Sequence, residues 1–136
     1  MVPRVIGNLL PQRALAVLQE DAFECTFLIP TRRDHLLSDG DPHAAEEWQW
    51  LDDQLFVLFN GRTVAPGLYE GFYRDPDTND QVSDESRKYI VAVQSTRLGD
   101  LRALVAECCD RFQQKCIYLS VAGRVEFVEA SDENTS

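Results

Sequence analysis

Apolar positions along this chain recur with two different periods, and the change from one to the other marks out its elements. Phe23–Ile29 begins as a strict alternation of apolar and polar residues and ends apolar, as a strand with one buried face does, and Pro30 closes it. Thr31–Pro42 is polar and turn-rich, with Ser38-Asp39-Gly40-Asp41-Pro42 as its clearest loop signal. Ala44, Trp48, Leu51, Leu55 and Leu58 then recur at helical spacing, leaving Glu46, Glu47, Asp52 and Asp53 toward solvent. Asp41 is suited to cap this helix, Pro42 to its first position, and Asn60-Gly61 to a left-handed stop. Residues 62–74 read as a second strand, interrupted near Pro66-Gly67 and resuming over Tyr69–Arg74.

The second half repeats the order. Asp75–Asp84 is a polar loop joining two antiparallel strands, and the third strand runs from about Arg87 to Gln94. Thr96 can cap a second helix over 98–112 whose inward positions are Leu98, Leu101, Leu104 or Val105, Cys108 and Phe112. Cys116–Val121 and Arg124–Val128 are strands joined by a tight turn at Ala122-Gly123. Two strand–helix–strand passes in one short chain predict an α+β sandwich of ferredoxin-like type, βαββαβ, with two helices on one face of an antiparallel sheet. Its expected division is an N-terminal segment, 1–22, with a short helix starting at Pro11, a single α+β domain over 23–129, and a disordered tail at 130–136.

Alternation assigns side chains to faces. Tyr89, Val91 and Val93 share one face of the third strand, and Lys88, Ile90, Ala92 and Gln94 the other. In the fourth, Cys116, Tyr118 and Ser120 oppose Ile117, Leu119 and Val121. Both faces are partly apolar, so a second covering layer is expected, from the N-terminal segment or from a second subunit.

Charge narrows the partners. A net charge of −10 over 136 residues argues against a nucleic-acid surface, since Arg32-Arg33 and Arg87-Lys88 are the only adjacent basic pairs. No run reaches the ~18–20 apolar residues of a membrane helix. Pro3, Gly7, Pro11 and Arg13 interrupt the apolar N-terminus, so it does not read as a signal peptide, and a cytoplasmic location is expected.

Candidate chemistry is sparse. Cys25, Cys108, Cys109 and Cys116 lack the spacing of a disulfide framework or a zinc site and read as small buried hydrophobes, with Cys109 the one candidate for redox sensitivity. His35, Asp39, Asp41 and His43 lie close in sequence, but nothing in a loop forces them to converge on a metal. The run from Asp75 to Ser86 has Asp80 where a calcium loop needs Gly and Ser86 where it needs Glu, so no metal or cofactor is expected. The placed polar residues sit at strand ends: Arg74, Glu85, Ser86 and Gln114, with Tyr69, Phe72 and Tyr73 alongside. They would suit a groove for a small polar molecule, whereas the structural alternative is an Arg74–Glu85 pair closing a hairpin.

Several short motifs add a likeness. Trp48, Leu58-Phe59-Asn60-Gly61-Arg62-Thr63, Gly71-Phe72-Tyr73-Arg74-Asp75, Glu85-Ser86-Arg87-Lys88 and Phe112-Gln113-Gln114-Lys115-Cys116-Ile117 follow one another in order. The series resembles a small bacterial family of unknown function whose members read W, a P-x-G-L-T-like turn, G-x-W-R-D, E-x-S-K and F-x-Q-E-S-V. It departs from that pattern at Phe72-Tyr73, where the family has tryptophan, and at Lys115-Cys116, where it has an acidic residue and serine. Thr31-Arg32-Arg33 stands in place of its G-R-S, and the export signal those proteins often carry is not expected here. The resemblance spans about residues 40–128 and implies a fold but no reaction.

Two functional readings follow. The first is a non-catalytic binding or interaction module, working as a homodimer or with a protein partner. It is favoured because no histidine or nucleophile is visibly placed for catalysis. The second is a small cofactor-free enzyme of the dimeric α+β type, an isomerase or oxygenase, with Arg74 as charge stabiliser and Glu85 as base. A pocket joining Arg74 to Glu85 would separate them.

Overall fold

A computed structural model describes residues 21–75 and 77–130. The expected N-terminal helix and the tail beyond residue 130 lie outside them. The described elements are β1 (Ala22–Pro30), α1 (Ala45–Phe59), β2 (Thr63–Val64), β3 (Tyr69–Arg74), β4 (Gln81–Gln94), α2 (Leu98–Arg111), β5 (Cys116–Val121) and β6 (Arg124–Glu129). The strands form one antiparallel sheet in the order β2-β4-β1-β5-β6, with β3 also paired to β4. This is the ferredoxin-like βαββαβ arrangement, with its second strand split into β2 and β3 and with β6 added at the far edge.

One core fills the space between sheet and helices. Cys25, Phe27 and Ile29 of β1, Tyr89, Val91 and Val93 of β4, and Ile117, Leu119 and Val121 of β5 meet Leu51, Leu55 and Phe59 of α1. From α2 come Leu101, Leu104, Val105, Cys108 and Cys109, followed by Phe112. These are the odd-numbered positions of each strand, so the face assignments read from alternation hold. Phe27 and Tyr89 stack with ring centroids 5.2 Å apart.

Several boundaries move. The first helix starts at Ala45 rather than Pro42, with no side-chain cap. The preceding residues are engaged elsewhere: Arg33 N–H donates to the Asp41 carbonyl, Arg32 bridges to Pro42, and His43 N–H donates to the Thr31 carbonyl. Ala44 is consequently exposed, whereas Asn60 ends the helix as expected, at φ 68° with its N–H on the Phe56 carbonyl. The third strand starts at Gln81, not Arg87, because residues 81–86 pair with β3 in register from Arg74↔Gln81 to Tyr69↔Ser86. The loop shrinks to a turn in which Asp75 N–H donates to the Asp80 carbonyl. A short 3-10 turn over Ser95–Arg97 precedes α2, so Thr96 does not cap it.

No described helix is long and apolar enough to cross a membrane.

Candidate functional site

The expected site residues separate. Arg74 and Glu85 both lie on the helix-side face of the β3–β4 hairpin, but Arg74 is opposite Gln81 and Glu85 is opposite Glu70. The two positions are four steps apart along the strand, ~13 Å. The Arg74–Glu85 pair therefore does not form: Arg74 Nη1 donates to Asn79 Oδ1 at 3.0 Å and pins the turn. Glu85 faces a second carboxylate, an unfavourable cross-strand neighbour. Gln114 is buried and structural, its Nε2 donating to the carbonyls of Arg32 and Phe112 at 2.8 Å each. A shallow groove of about 260 Å³ lies between the helices, lined by Gln54, Leu58, Asp100, Ala103, Leu104 and Glu107, and it does not touch Arg74 or Glu85.

The residues of the histidine-containing loop are also spoken for. Asp39 accepts from Arg33 at 3.1 Å and from the Asp41 N–H at 3.0 Å. The Asp41 N–H, more than Arg33, holds the Asp39 carboxyl below its usual range. His43 is buried edge-on against Trp48 and Phe112, with Nε2 2.8 Å from the Pro30 carbonyl. Three of the cysteines are buried as expected, but Cys116 points from the opposite face and is exposed. Cys109 donates to the Val128 carbonyl at 3.2 Å, and burial pushes its thiol up to about 12, far from a reactive thiolate.

What the hairpin does bring together lies on the face away from the helices. Tyr69, Gly71 and Tyr73 occupy alternate positions of β3, so both phenol rings rise on one side with glycine between them. Directly opposite Gly71 is Asp84, and a side chain begun at residue 71 would have its first carbon 3.5 Å from Asp84 Oδ1. Tyr69 and Tyr73 are 40% and 52% exposed, which leaves their rings available from solvent. Asp84 is half-buried and accepts no hydrogen bond from any described residue. Burial alone pushes its carboxyl above the usual range. The Tyr73 phenol is raised as well, first by burial and then by Asp84. Lys88 extends over the Tyr69 ring, its Nζ 5.1 Å from the centroid, and Ser86 is buried opposite Tyr69.

The arrangement is a cluster of two tyrosines and a carboxylate on one face of the hairpin, with the Lys88 ammonium against one of the rings. Aromatic faces and a carboxylate attract a cation carrying apolar groups, and the rings can stack on a planar base. Of the residues expected at a site, Tyr69, Tyr73 and Ser86 belong here, while Asp84 falls in a stretch whose sequence reads as loop and Gly71 in one of the short motifs. The period-two spacing Tyr-x-Gly-x-Tyr was the available signal.

No family model matches the chain, and no curated protein matches it. Among solved structures, a phage SAM lyase in complex with S-methyl-5'-thioadenosine shares the fold with a TM-score of 0.59 and 14% identity. The likeness covers 81% of this chain and 91% of the lyase. The phage SAM lyase in its apo state gives a TM-score of 0.54 and 13% identity over 83% and 91% of the two chains. These likenesses correct the expectation of a non-catalytic interaction module: both of these solved structures are of an enzyme, which backs the alternative of a small α+β enzyme better.

Proposed function

We propose that this chain is a small enzyme acting on S-adenosylmethionine or a related thioadenosine sulfonium, cleaving a carbon–sulfur bond. The observation that carries the reading is Asp84, a half-buried carboxylate without a described hydrogen-bond partner, set between Tyr69 and Tyr73. A sulfonium offers the positive charge that such a group lacks, and the attached adenine offers a plane for a tyrosine ring. The fold shared with a phage SAM lyase supports this choice of enzyme class.

The chemistry balances without an added oxidant or reductant. The electron pair of the broken carbon–sulfur bond passes to sulfur, which leaves as a neutral thioether. As that bond breaks, the four-carbon amino acid fragment either gives its β-proton to solvent and forms a carbon–carbon double bond, or its own carboxylate attacks the carbon that sulfur leaves and closes a lactone. A carboxylate against sulfur holds the charged substrate more tightly than the transition state, in which that charge is fading. Asp84 therefore serves binding and product release, and acceleration comes from the orientation the two rings impose on the substrate.

Incubation of the purified protein with S-adenosylmethionine, followed by chromatography and mass spectrometry, tests the proposal. At S-adenosylmethionine concentrations below saturation, the expected result is time-dependent formation of S-methyl-5'-thioadenosine that Asp84→Asn and Tyr69→Ala slow. Absence of product, together with no heat of binding for S-methyl-5'-thioadenosine by calorimetry, would overturn it.

A further inference from the structure

We propose that the stretch before β1, residues 5–18 of this chain, docks on the open face of the sheet, the side away from α1 and α2. This cover is independent of the enzyme reading.

The open face is bare among the described residues, and much of it is apolar. Both helices pack on the odd-numbered positions of β1, β4 and β5. The even positions of those strands, with Val125 and Phe127 of β6, look the other way. They bring Leu28, Ile90, Ala92, Tyr118, Val125 and Phe127 to one surface. Strand register links them, since Thr26 is opposite both Ile90 and Ser120, and Ser120 is opposite Val125. Tyr118 is opposite Phe127, their ring centroids 6.0 Å apart. Val125 and Phe127 are 51% and 65% exposed. A continuous apolar patch of this kind marks a contact surface.

Charge selects the occupant. The same face carries Glu24, Asp84 and Glu129 against Lys88, so it is net negative. A second copy would set that face against its own charge, in a chain of net charge −10. Residues 1–19 contain Arg4 and Arg13 and no acidic residue, with Val5, Ile6, Leu9, Leu10, Leu15 and Val17 between and beyond them. A basic, aliphatic stretch within an acidic chain matches an acidic, apolar face.

The stretch also joins the fold at the right place. Asp21, which accepts from the Ser95 hydroxyl, precedes β1, and β1 is the middle strand of the order β2-β4-β1-β5-β6. Val125 lies level with Thr26 and two strands across, on the order of 17 Å from Ala22. Residues 9–20 span ~18 Å even at the helical rise of ~1.5 Å per residue. The groove between α1 and α2 is acidic too, but at about 260 Å³ it is too small to bury so many side chains.

Photocrosslinking of the full chain tests the assignment. Benzoylphenylalanine in place of Phe127 probes the open face, and the same residue in place of Phe56, 65% exposed on α1, probes the opposite side. Irradiation followed by peptide mapping should join position 127 to residues 5–18, and position 56 should not capture them. In a mixture of 14N- and 15N-labelled protein those links should stay within one chain. Arg13→Glu should lower their yield about threefold, the scale of one surface charge pair, and Arg13→Lys should restore it. Links between copies would make the face a dimer interface and overturn the proposal. So would the absence of any link from position 127 to residues 5–18, equal capture from position 56, or a yield that Arg13→Glu leaves unchanged.

Discussion

The guanidinium of Arg87 lies 3.8 Å from the ring centroid of Trp48, covering one side of an aromatic group whose other neighbours are Phe112 at 5.0 Å and His43 at 5.4 Å. Spacing along α1 points Trp48 at the sheet, and it does pack there, but on the margin of the core and half-buried. Trp48→Ala should cost about 2–4 kcal/mol, somewhat below the range for a fully buried tryptophan. Arg87→Ala should cost less, and a double-mutant cycle in urea should return a coupling of about 0.5–2 kcal/mol between the two. Additive effects would mean that the stack contributes nothing.

Tyr89 is fully buried, and its hydroxyl has no hydrogen-bond partner among the described residues. Burial pushes the phenol up to about 12, with the Asp52 carboxylate adding to the shift and nearby Arg87 offsetting part of it. The ring stacks on Phe27, so the aromatic body is needed and the oxygen is not. Tyr89→Phe should be neutral or stabilising by up to about 1 kcal/mol, because it removes a buried polar atom without opening a cavity. A clear loss of stability by denaturant unfolding would reveal a bound water or other partner for that oxygen.

Thiol accessibility should divide four cysteines into one and three. Cys116 is exposed, while Cys25, Cys108 and Cys109 are buried. Burial pushes Cys25 up to about 11 and Cys109 to about 12, so neither carries appreciable thiolate at neutral pH. Ellman's reagent on the folded protein should modify Cys116 alone, slowly at pH 7 and faster as pH rises, since burial raises this thiol too. Peptide mapping after labelling decides the matter. Early modification of Cys109 would restore it as a redox candidate.

His43 gives stability a pH dependence of known sign. Burial lowers its pKa below the unfolded value, partly offset by the contact with the Pro30 carbonyl. The folded state therefore binds fewer protons than the unfolded chain. Its contribution is fully present above the ordinary histidine range and is lost as pH falls through the folded pKa. The urea midpoint should fall between pH 7.5 and pH 5.5, and His43→Phe should flatten that part of the profile. An unchanged slope would assign it to the carboxylates.

Much of the fold was legible because burial follows period. Leu51 and Leu55 on α1, Leu101 and Cys108 on α2, and the odd positions of β1 and β4 are where alternation and helical spacing put them. What was not legible depended on partners distant in sequence. Arg32 and Pro42 bridge across the loop, and that bridge, not the capping preference of Asp41, decides where α1 begins. Residues 81–86 look like loop because Ser83, Asp84 and Glu85 are polar, yet pairing with β3 makes them strand. The same polar composition hides the Tyr69–Asp84–Tyr73 cluster. Arg74 and Glu85 attracted notice as opposite charges near one turn, but strand register sets them against Gln81 and Glu70 and brings Asp84 to Gly71 instead.

Asp84 should therefore show a conflict between stability and binding. Its carboxyl is raised by burial alone, with no compensating described partner, so the folded state binds the proton more tightly than the unfolded chain does. The stability linked to that proton is complete below the ordinary aspartate pKa and is lost as pH rises through the folded value. At neutral pH the ionised carboxylate is a burden on the fold. Asp84→Asn keeps the shape and removes the charge, so it should raise the denaturation midpoint at pH 7 and make no difference near pH 3. Most substitutions at half-buried positions destabilise, by about 1 kcal/mol, so a gain here is a distinctive outcome. The same variant should lose affinity for S-adenosylmethionine, since neutral asparagine offers the sulfonium only a dipole. Stabilisation with loss of binding marks a residue kept for a ligand at a cost to the fold. If Asp84→Asn instead destabilises at pH 7, the carboxylate has a structural partner after all, and the Tyr69–Asp84–Tyr73 cluster loses its claim to be a site.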